Sequence, residues 1–353
     1  MTPRGTDWTL AFLVALLFTT GMLSLVSGAE GDAWVFVLHG AGGAALGFVT
    51  GWKLRRVWRR VVELRRWDQH TSAGLLAALL VVATLASGVV WSSGGDLYVA
   101  GFNLLNWHIL LGVLLTLGVA AHGRLRGKRP RRQDLASRRH VLRLAAVGAM
   151  SGALWWLQRP LAGYAGWRGA GRRWTGSYEV GSFAGNAFPA TSWVADQPRP
   201  LDAAAYRLSL GGLVITPLVL VASAVDAGDT LVATLDCTGG FFSTQAWRGM
   251  RLGRLIDQAG ADARADHVRV ISHTGYRWSF PLVEARDFLL ATHVGGEPLA
   301  HAHGAPVRLV APGRRGFQWI KWVVRIELHH GPDRGAAVST VWSSWTPQGR
   351  GEA

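Results

Sequence analysis

Apolar residues lie in four long blocks before residue 125 and in short alternating runs after about residue 175. The blocks span 8–27, 33–52, 73–91 and 104–121 and contain no Asp, Glu, Lys or Arg. Each is close to the length that crosses a bilayer as a helix. The segments between them alternate in charge. GAEGD and SSGGDLYVAGFN, after the first and third blocks, lack Lys and Arg, whereas 53–66 and 124–132 are strongly basic. Basic residues stay on the cytoplasmic side. The pattern therefore predicts a cytoplasmic N-terminus, with the second and fourth helices running from outside to inside. A further basic group, 138–143, leads into an apolar run to Leu157 and predicts a fifth spanning helix. Everything after about Arg159 is then expected outside.

Beyond residue 175 the period changes. YRLSLGGLV, DTLVATLDC, HVRVISHTGYRWSFPL, APVRLVAPG and KWVVRIELHH alternate apolar with polar residues between Gly and Pro, and read as strands. Helices are expected at 252–258 and 282–292. The fold class is multi-domain. An all-α transmembrane four-helix bundle plus a fifth spanning helix precedes a mixed α+β domain. The expected divisions are 1–125, a connector over 126–165, and 166–353.

Net charge is +15 with 37 Lys and Arg, which in a soluble chain would point to nucleic acid. Here the basic blocks border apolar runs, and membrane topology explains them without a nucleic-acid partner.

The first four helices read as a duplicated hairpin. TTGMLSLVSG followed by FVLHGAGGAALGFVTGWKLRR parallels LASGVVWSSG followed by NWHILLGVLLTLGVAAHGRLR. His39 matches His108, and Lys53 matches His122. His108 and His122 are about 40° off a common face and about 21 Å apart along a helix. Histidines inside a span are expensive and usually functional, and neutral imidazole ligates haem iron. His39 and His108 either clamp a haem b or hydrogen-bond between helices. The arrangement resembles membrane di-haem cytochromes b, with the departure that Lys53 stands where a fourth histidine would be. A second haem would need His122 and another ligand, such as His70.

The connector segment Ser137-Arg138-Arg139-His140-Val141-Leu142-Arg143 resembles the twin-arginine export signal. That route carries folded domains and suits one that receives a cofactor in the cytoplasm. A plain basic flank on the fifth helix gives the same topology.

The chain has one cysteine, Cys237, in LDCTGGFFSTQAWRG. A single thiol makes no internal disulfide. It is a buried hydrophobe, a nucleophile or one ligand of a metal centre. The surrounding text decides among these by resemblance. GNAFPATSW (185–193), YRLSLGGLVITP (206–217), LDCTGGFFSTQAWRGMRLGRLIDQAG (235–260) and GGEPLAHAHGAPVRLVAPGRRGFQWIKWVVRIEL (295–328) resemble the molybdopterin-binding domain of the sulfite oxidase superfamily. That superfamily includes periplasmic methionine-sulfoxide reductase catalytic subunits. The resemblance implies that the Cys237 thiolate binds molybdenum beside the pterin dithiolene. It implies that His303 and Arg308, in HGAPVR, hold the pterin phosphate, and that Lys321, in QWIKW, and Asn186 border the pterin. Trp247 and Leu252 read as packing residues. His273, His293 and His301 match no family position.

Two departures bear on substrate. Where sulfite oxidases carry an arginine before the asparagine, this chain has Gly185, and the end of the chain has no tyrosine. Arg248, Arg277, Arg314 and Arg315 are candidate replacements for the missing positive charge. The resemblance implies oxygen-atom transfer on a small oxo-acceptor or oxo-donor outside the membrane. Electrons would pass through haem b to or from quinone. Alternatively, the helices are a haem-free anchor and a soluble cytochrome is the electron partner.

Overall fold

In the computed structural model the chain divides into two units, Met1–Tyr178 and Glu179–Ala353. The structure describes residues 1–338 other than 64, 66, 69, 70, 96, 132, 133, 135, 136, 192–195, 197 and 337. His70, Ser192, Trp193 and the final fifteen residues therefore lie outside the described residues.

The first unit is helical: α1 (Pro3–Ser24), α2 (Ala33–Val62), α3 (Thr71–Ser92), α4 (Leu104–Arg126) and α5 (Arg138–Tyr164). All five are long and apolar enough to cross a membrane. Their starts are set locally. The Thr2 hydroxyl accepts from Gly5 N before Pro3 opens α1. Asn103 caps α4, and Ser137 caps α5 by accepting from His140 N. Arg138 and Arg139 are therefore the first residues of α5. α2 is 30 residues long, about 45 Å, so its last turns extend past the apolar run and carry Arg55, Arg56, Arg59 and Arg60. Lys53 pairs with Asp7 at 2.9 Å. α1 packs on α2 and α4, α3 on α4 and α2, and α5 on α2. Leu13, Val14, Ala45, Leu46, Val49, Val81 and Leu115 form their shared core. Hydroxyls inside the spans are satisfied by their own helices: Thr9, Thr84 and Thr116 each donate to the carbonyl four residues back, at 2.7–2.8 Å.

The second unit contains two sheets. One is built on the hairpin of β3 (Asp229–Asp236) and β4 (Phe241–Arg251), which pairs antiparallel with β7 (Leu289–Val294), and β7 with β8 (Arg308–Val310). The other has the order β2-β1-β9-β5-β6: β1 is Leu208–Gly212, β2 Leu218–Leu220, β5 His267–Ser272, β6 Arg277–Pro281 and β9 Val323–His329. Only the β1–β9 pair in that sheet is parallel. Along β4 every second residue from Phe241 to Gly249 is buried, and Trp247 is 1 % exposed. Burying such a side chain contributes roughly 1.5–3 kcal/mol. α6 (Leu252–Ala259) follows directly, with Leu252, Leu255 and Ile256 fully buried.

The expected helix at 282–292 is a correction. Only Leu282–Ala285 is helical, and Leu289–Val294 is strand. β7 is an interior strand between β4 and β8, and Leu289, Leu290 and Ala291, which point alternately to its two faces, are all fully buried. A strand covered on both faces has no alternation, and a short apolar run then looks like a buried helix turn. β4 was likewise not anticipated.

Candidate functional site

The β3–β4 turn presents the cysteine. Cys237 N donates to Phe241 O at 2.8 Å and Gly240 N to Cys237 O at 3.0 Å, so 237–240 form a closed turn. Gly240 has φ +97°, which a side chain would resist. Cys237 is 7 % exposed, and its sulfur faces Thr191 Oγ1 at 3.3 Å and Gly239 N at 3.3 Å.

The HGAPVR segment lies against the same place. His303 ends a short 3-10 turn, and Gly304 follows at φ +106°. A Cβ on Gly304 would come within 3.0 Å of Lys321 Cα, so the turn and the 318–322 segment touch backbone to backbone. His303 Nε2 donates to Asn186 O at 3.0 Å, a carbonyl that can only accept, so Nε2 carries the proton. Its ring packs on Phe188 with centroids 3.9 Å apart. Burial, reinforced by Arg308, pushes His303 down to about 4.

Arg308 is 1 % exposed, with its guanidinium carbon 5.2 Å from the Trp247 ring and 5.8 Å from Trp319. Burial pushes it down to about 10. Lys321 Nζ donates to Thr191 O at 2.8 Å and Ala302 O at 2.7 Å. Burial, and then the Arg308 charge, push Lys321 down to about 7. Asn186 closes the group: its amide donates to Pro298 O and Glu297 Oε2, and its carbonyl oxygen accepts from Ala300 N. Thus Cys237, Asn186, His303, Arg308 and Lys321, far apart in sequence, are linked by direct contacts and by the charge of Arg308.

These residues fit a pterin that carries a phosphate and a metal. Arg308 Nε and Nη1 are buried donors with no hydrogen-bond partner among the described residues; the buried His303 Nδ1, also unpartnered among them, is the ring's acceptor nitrogen and would take a proton to meet a phosphate. Unpaired buried donors on a cation are costly unless an anion meets them. A thiolate at Cys237 is a soft metal ligand.

Sequence reasoning missed three features here. Thr191 is the hub between Cys237 and Lys321, and its place in GNAFPATSW was the available signal. Asp196 is buried, its carboxyl pushed up by burial and held lower by Thr274 and Lys321. Arg315 forms a buried pair with Asp236 at 2.7 Å.

In the helical unit, His39 and His108 face each other with ring centroids 6.1 Å apart and planes at 76°. His39 Nδ1 meets Thr20 Oγ1 at 3.0 Å. His108 Nδ1 meets Ser87 Oγ at 3.1 Å and Thr84 O at 3.0 Å. His39 lies against Gly21 and His108 against Gly88. His122 lies against Gly74, one level away, and the residue matched to it, Lys53, is engaged with Asp7.

Residues 195–337 match the family model described as "oxidoreductase molybdopterin binding domain". Over 109 residues the chain is 36 % identical to mitochondrial sulfite oxidase of Rattus norvegicus, covering 28 % of this chain and 20 % of that protein. Over 193 residues it is 30 % identical to the protein-methionine-sulfoxide reductase catalytic subunit MsrP of Gluconobacter oxydans, covering 48 % of this chain and 58 % of that protein. A solved structure, the sulfane dehydrogenase SoxCD from Paracoccus pantotrophus, aligns with TM-score 0.37 and 27 % identity over 39 % of this chain and 42 % of that one. The chain thus spans from about a tenth to little more than half the length of the curated relatives it matches. Residues 195–337 of this chain thus form a molybdopterin-binding oxidoreductase domain similar to those of sulfite oxidase and MsrP.

Proposed function

We propose that the chain is a membrane-bound molybdenum-dependent oxidoreductase that transfers an oxygen atom to or from a small substrate outside the membrane. The observation that carries this reading is the buried guanidinium of Arg308 beside His303, whose Nε and Nη1 have no hydrogen-bond partner among the described residues and which lies within electrostatic reach of Cys237. Arg308 and His303 would hold the pterin phosphate, Asn186 and Lys321 its rim, and the Cys237 sulfur the metal. When bound, the cofactor supplies the oxygen-atom and two-electron chemistry. The protein fixes the sulfur in its turn, screens it from water and keeps cations around the phosphate.

A neutral oxo compound, such as a sulfoxide or N-oxide, suits the rim better than a sulfur oxyanion. Each candidate arginine already faces a carboxylate: Arg248 Asp226 at 3.0 Å, Arg277 Asp333 at 2.8 Å, Arg314 Glu284, and Arg315 Asp236. At Gly185, a Cβ would meet Glu297 Oε1. The substituted position is therefore bordered by negative charge.

Electrons would pass between this centre and quinone through a haem b held by His39 and His108. The 6.1 Å between their ring centroids would leave room for a metal ion between the two imidazoles, which would hold it. In each half a hydroxyl–glycine pair, Thr20–Gly21 or Ser87–Gly88, engages Nδ1 and gives the ring room. That leaves Nε2 for a metal. One haem is proposed, held by the one such pair among the described residues; His70, the ligand considered with His122 for a second, lies outside them. The basic flanks support a cytoplasmic N-terminus and a catalytic domain outside, and the segment opening α5 would direct its export.

The test is molybdenum and haem content of detergent-purified protein, with a reduced-minus-oxidised spectrum, in wild type and Cys237→Ser. About one molybdenum per chain and a b-type band are expected, the molybdenum being lost in Cys237→Ser. No molybdenum from a molybdopterin-competent host would refute the reading. Molybdenum without haem would make the helices an anchor and a soluble cytochrome the electron partner.

A further inference from the structure

Residues 167–178 close one end of the helical unit. Gly169 N donates to Ser93 O at 3.1 Å, and a Cβ on Gly169 would come within 2.2 Å of Ser92 O, so this segment sits directly on the end of α3. Arg173 N donates to Ser177 O, and Gly176 N to Arg173 O, each at 2.9 Å, folding 173–177 into a turn.

Two aromatic contacts fix where this turn lies relative to the histidine pair. The Arg172 guanidinium carbon is 4.2 Å from the Trp91 ring. Trp91 is four residues beyond Ser87, the hydroxyl that holds His108. Trp174 meets Phe36 edge-on at 5.1 Å, and Phe36 is three residues before His39. Each step is about one helical turn, on the order of 5 Å along the axis. Both steps lead toward the end where α2 begins and α3 finishes. Residues 172–174 therefore bridge the two sides of the unit, one turn beyond His39 and His108. Arg173 lies between the two anchors. Arg159 reaches the same turn, its Nη2 donating to Arg172 O at 3.3 Å.

We propose that Arg172 and Arg173 form a dicarboxylate-binding pair that takes the two propionates of a haem held between His39 and His108. This rests on the haem reading above. Guanidinium matches a carboxylate in shape and charge, and haem b carries its carboxylates on one edge. Phe36, Trp91 and Trp174 border that edge with apolar surface. Arg172 is only 8 % exposed, so its interaction with an anion would be weakly screened.

The test uses full-length protein in detergent, comparing wild type with Arg172→Gln, Arg173→Gln and, as control, the exposed Arg168→Gln. The readout is the haem midpoint potential by spectroelectrochemical titration. A nearby cation favours the reduced haem, which bears one positive charge fewer. The potential should therefore move negative in Arg172→Gln and Arg173→Gln and stay in Arg168→Gln. In protein reconstituted with haem dimethyl ester, which has no ionised propionates, the shift should shrink. An unchanged potential in both variants, an equal shift in Arg168→Gln, or an undiminished shift with the ester would overturn the proposal. If Arg172→Gln does not fold, Arg173→Gln alone decides it. Wild type without haem would overturn the haem reading itself, a different and earlier failure.

Discussion

Arg315 Nη1 lies 2.7 Å from Asp236 Oδ1, with the side chains 5 % and 4 % exposed, one residue before the metal-ligand candidate Cys237. Arg315 Nη2 also reaches Cys237 O at 3.4 Å. Removing one partner of a buried pair destabilises by about 3–5 kcal/mol. Asp236→Asn should therefore loosen the turn. Because Cys237 is the only cysteine, thiol labelling of cofactor-free protein reads this directly. The labelling rate should rise at least about a hundredfold, since 1.4 kcal/mol is tenfold. An unchanged rate would mean the pair does not hold the turn.

Arg308 should behave in opposite ways with and without cofactor. In cofactor-free protein its buried guanidinium has no partner at Nε and Nη1 among the described residues, so Arg308→Met should leave stability unchanged or raise it by about 1–4 kcal/mol. Molybdenum content should fall at least tenfold in the same variant. Thermal unfolding and elemental analysis check the two halves. Lower stability with full molybdenum would contradict both.

The pH dependence of cofactor-free protein follows from two depressed bases. His303 is pushed to about 4 and Lys321 to about 7, whereas the unfolded chain keeps about 6.5 and about 10.4. Between each folded and unfolded value the unfolded state binds the extra proton, so stability rises with pH. Denaturant midpoints should climb from about pH 4 to 6.5 and again from about pH 7 to 10. His303→Gln should flatten the lower rise and Lys321→Met the upper. An anionic phosphate in the site favours both charged forms, so loading should weaken both rises.

Thr20 and Ser87 are expected to orient the haem ligands. Loss of a partner that orients a ligating histidine typically weakens metal binding 10–100-fold. Thr20→Val and Ser87→Ala should each lower haem affinity by that order while preserving a bis-histidine spectrum, and His39→Ala should abolish that spectrum. Haem titration of the apo-protein measures all three.

Glu297 borders Gly185 and accepts from Asn186. Glu297→Gln should raise kcat/KM for sulfite relative to a neutral sulfoxide, because it removes negative charge from the rim. An unchanged ratio would separate this carboxylate from substrate selection.

The sequence resolves this molecule unevenly. Uniform apolar blocks mark the long helices, whose length and composition would let them cross a membrane, where a helix exposed to lipid needs no polar face. β7 misleads because Leu289, Leu290 and Ala291 are all buried, which erases the period-two signal. The motif residues Cys237, His303 and Arg308 stand out by their neighbours, and their convergence follows from pairings of β3, β4, β7 and β8 that no single segment encodes. The arginines considered for substrate each depend on a partner distant in sequence, such as Asp333 for Arg277. Charge counting sees the cation and misses the carboxylate that meets it.

With Arg308 holding the pterin phosphate as proposed, its sealing would govern how the cofactor enters. At 1 % exposure, the guanidinium cannot receive a phosphate until the surrounding loops part. Local openings of this kind have their own free energy, below that of global unfolding. Loading is then gated. Its rate should level off as cofactor concentration rises, at a ceiling set by how often the site opens. A chaperone that delivers the cofactor would have to act on that opening, since a higher concentration could not.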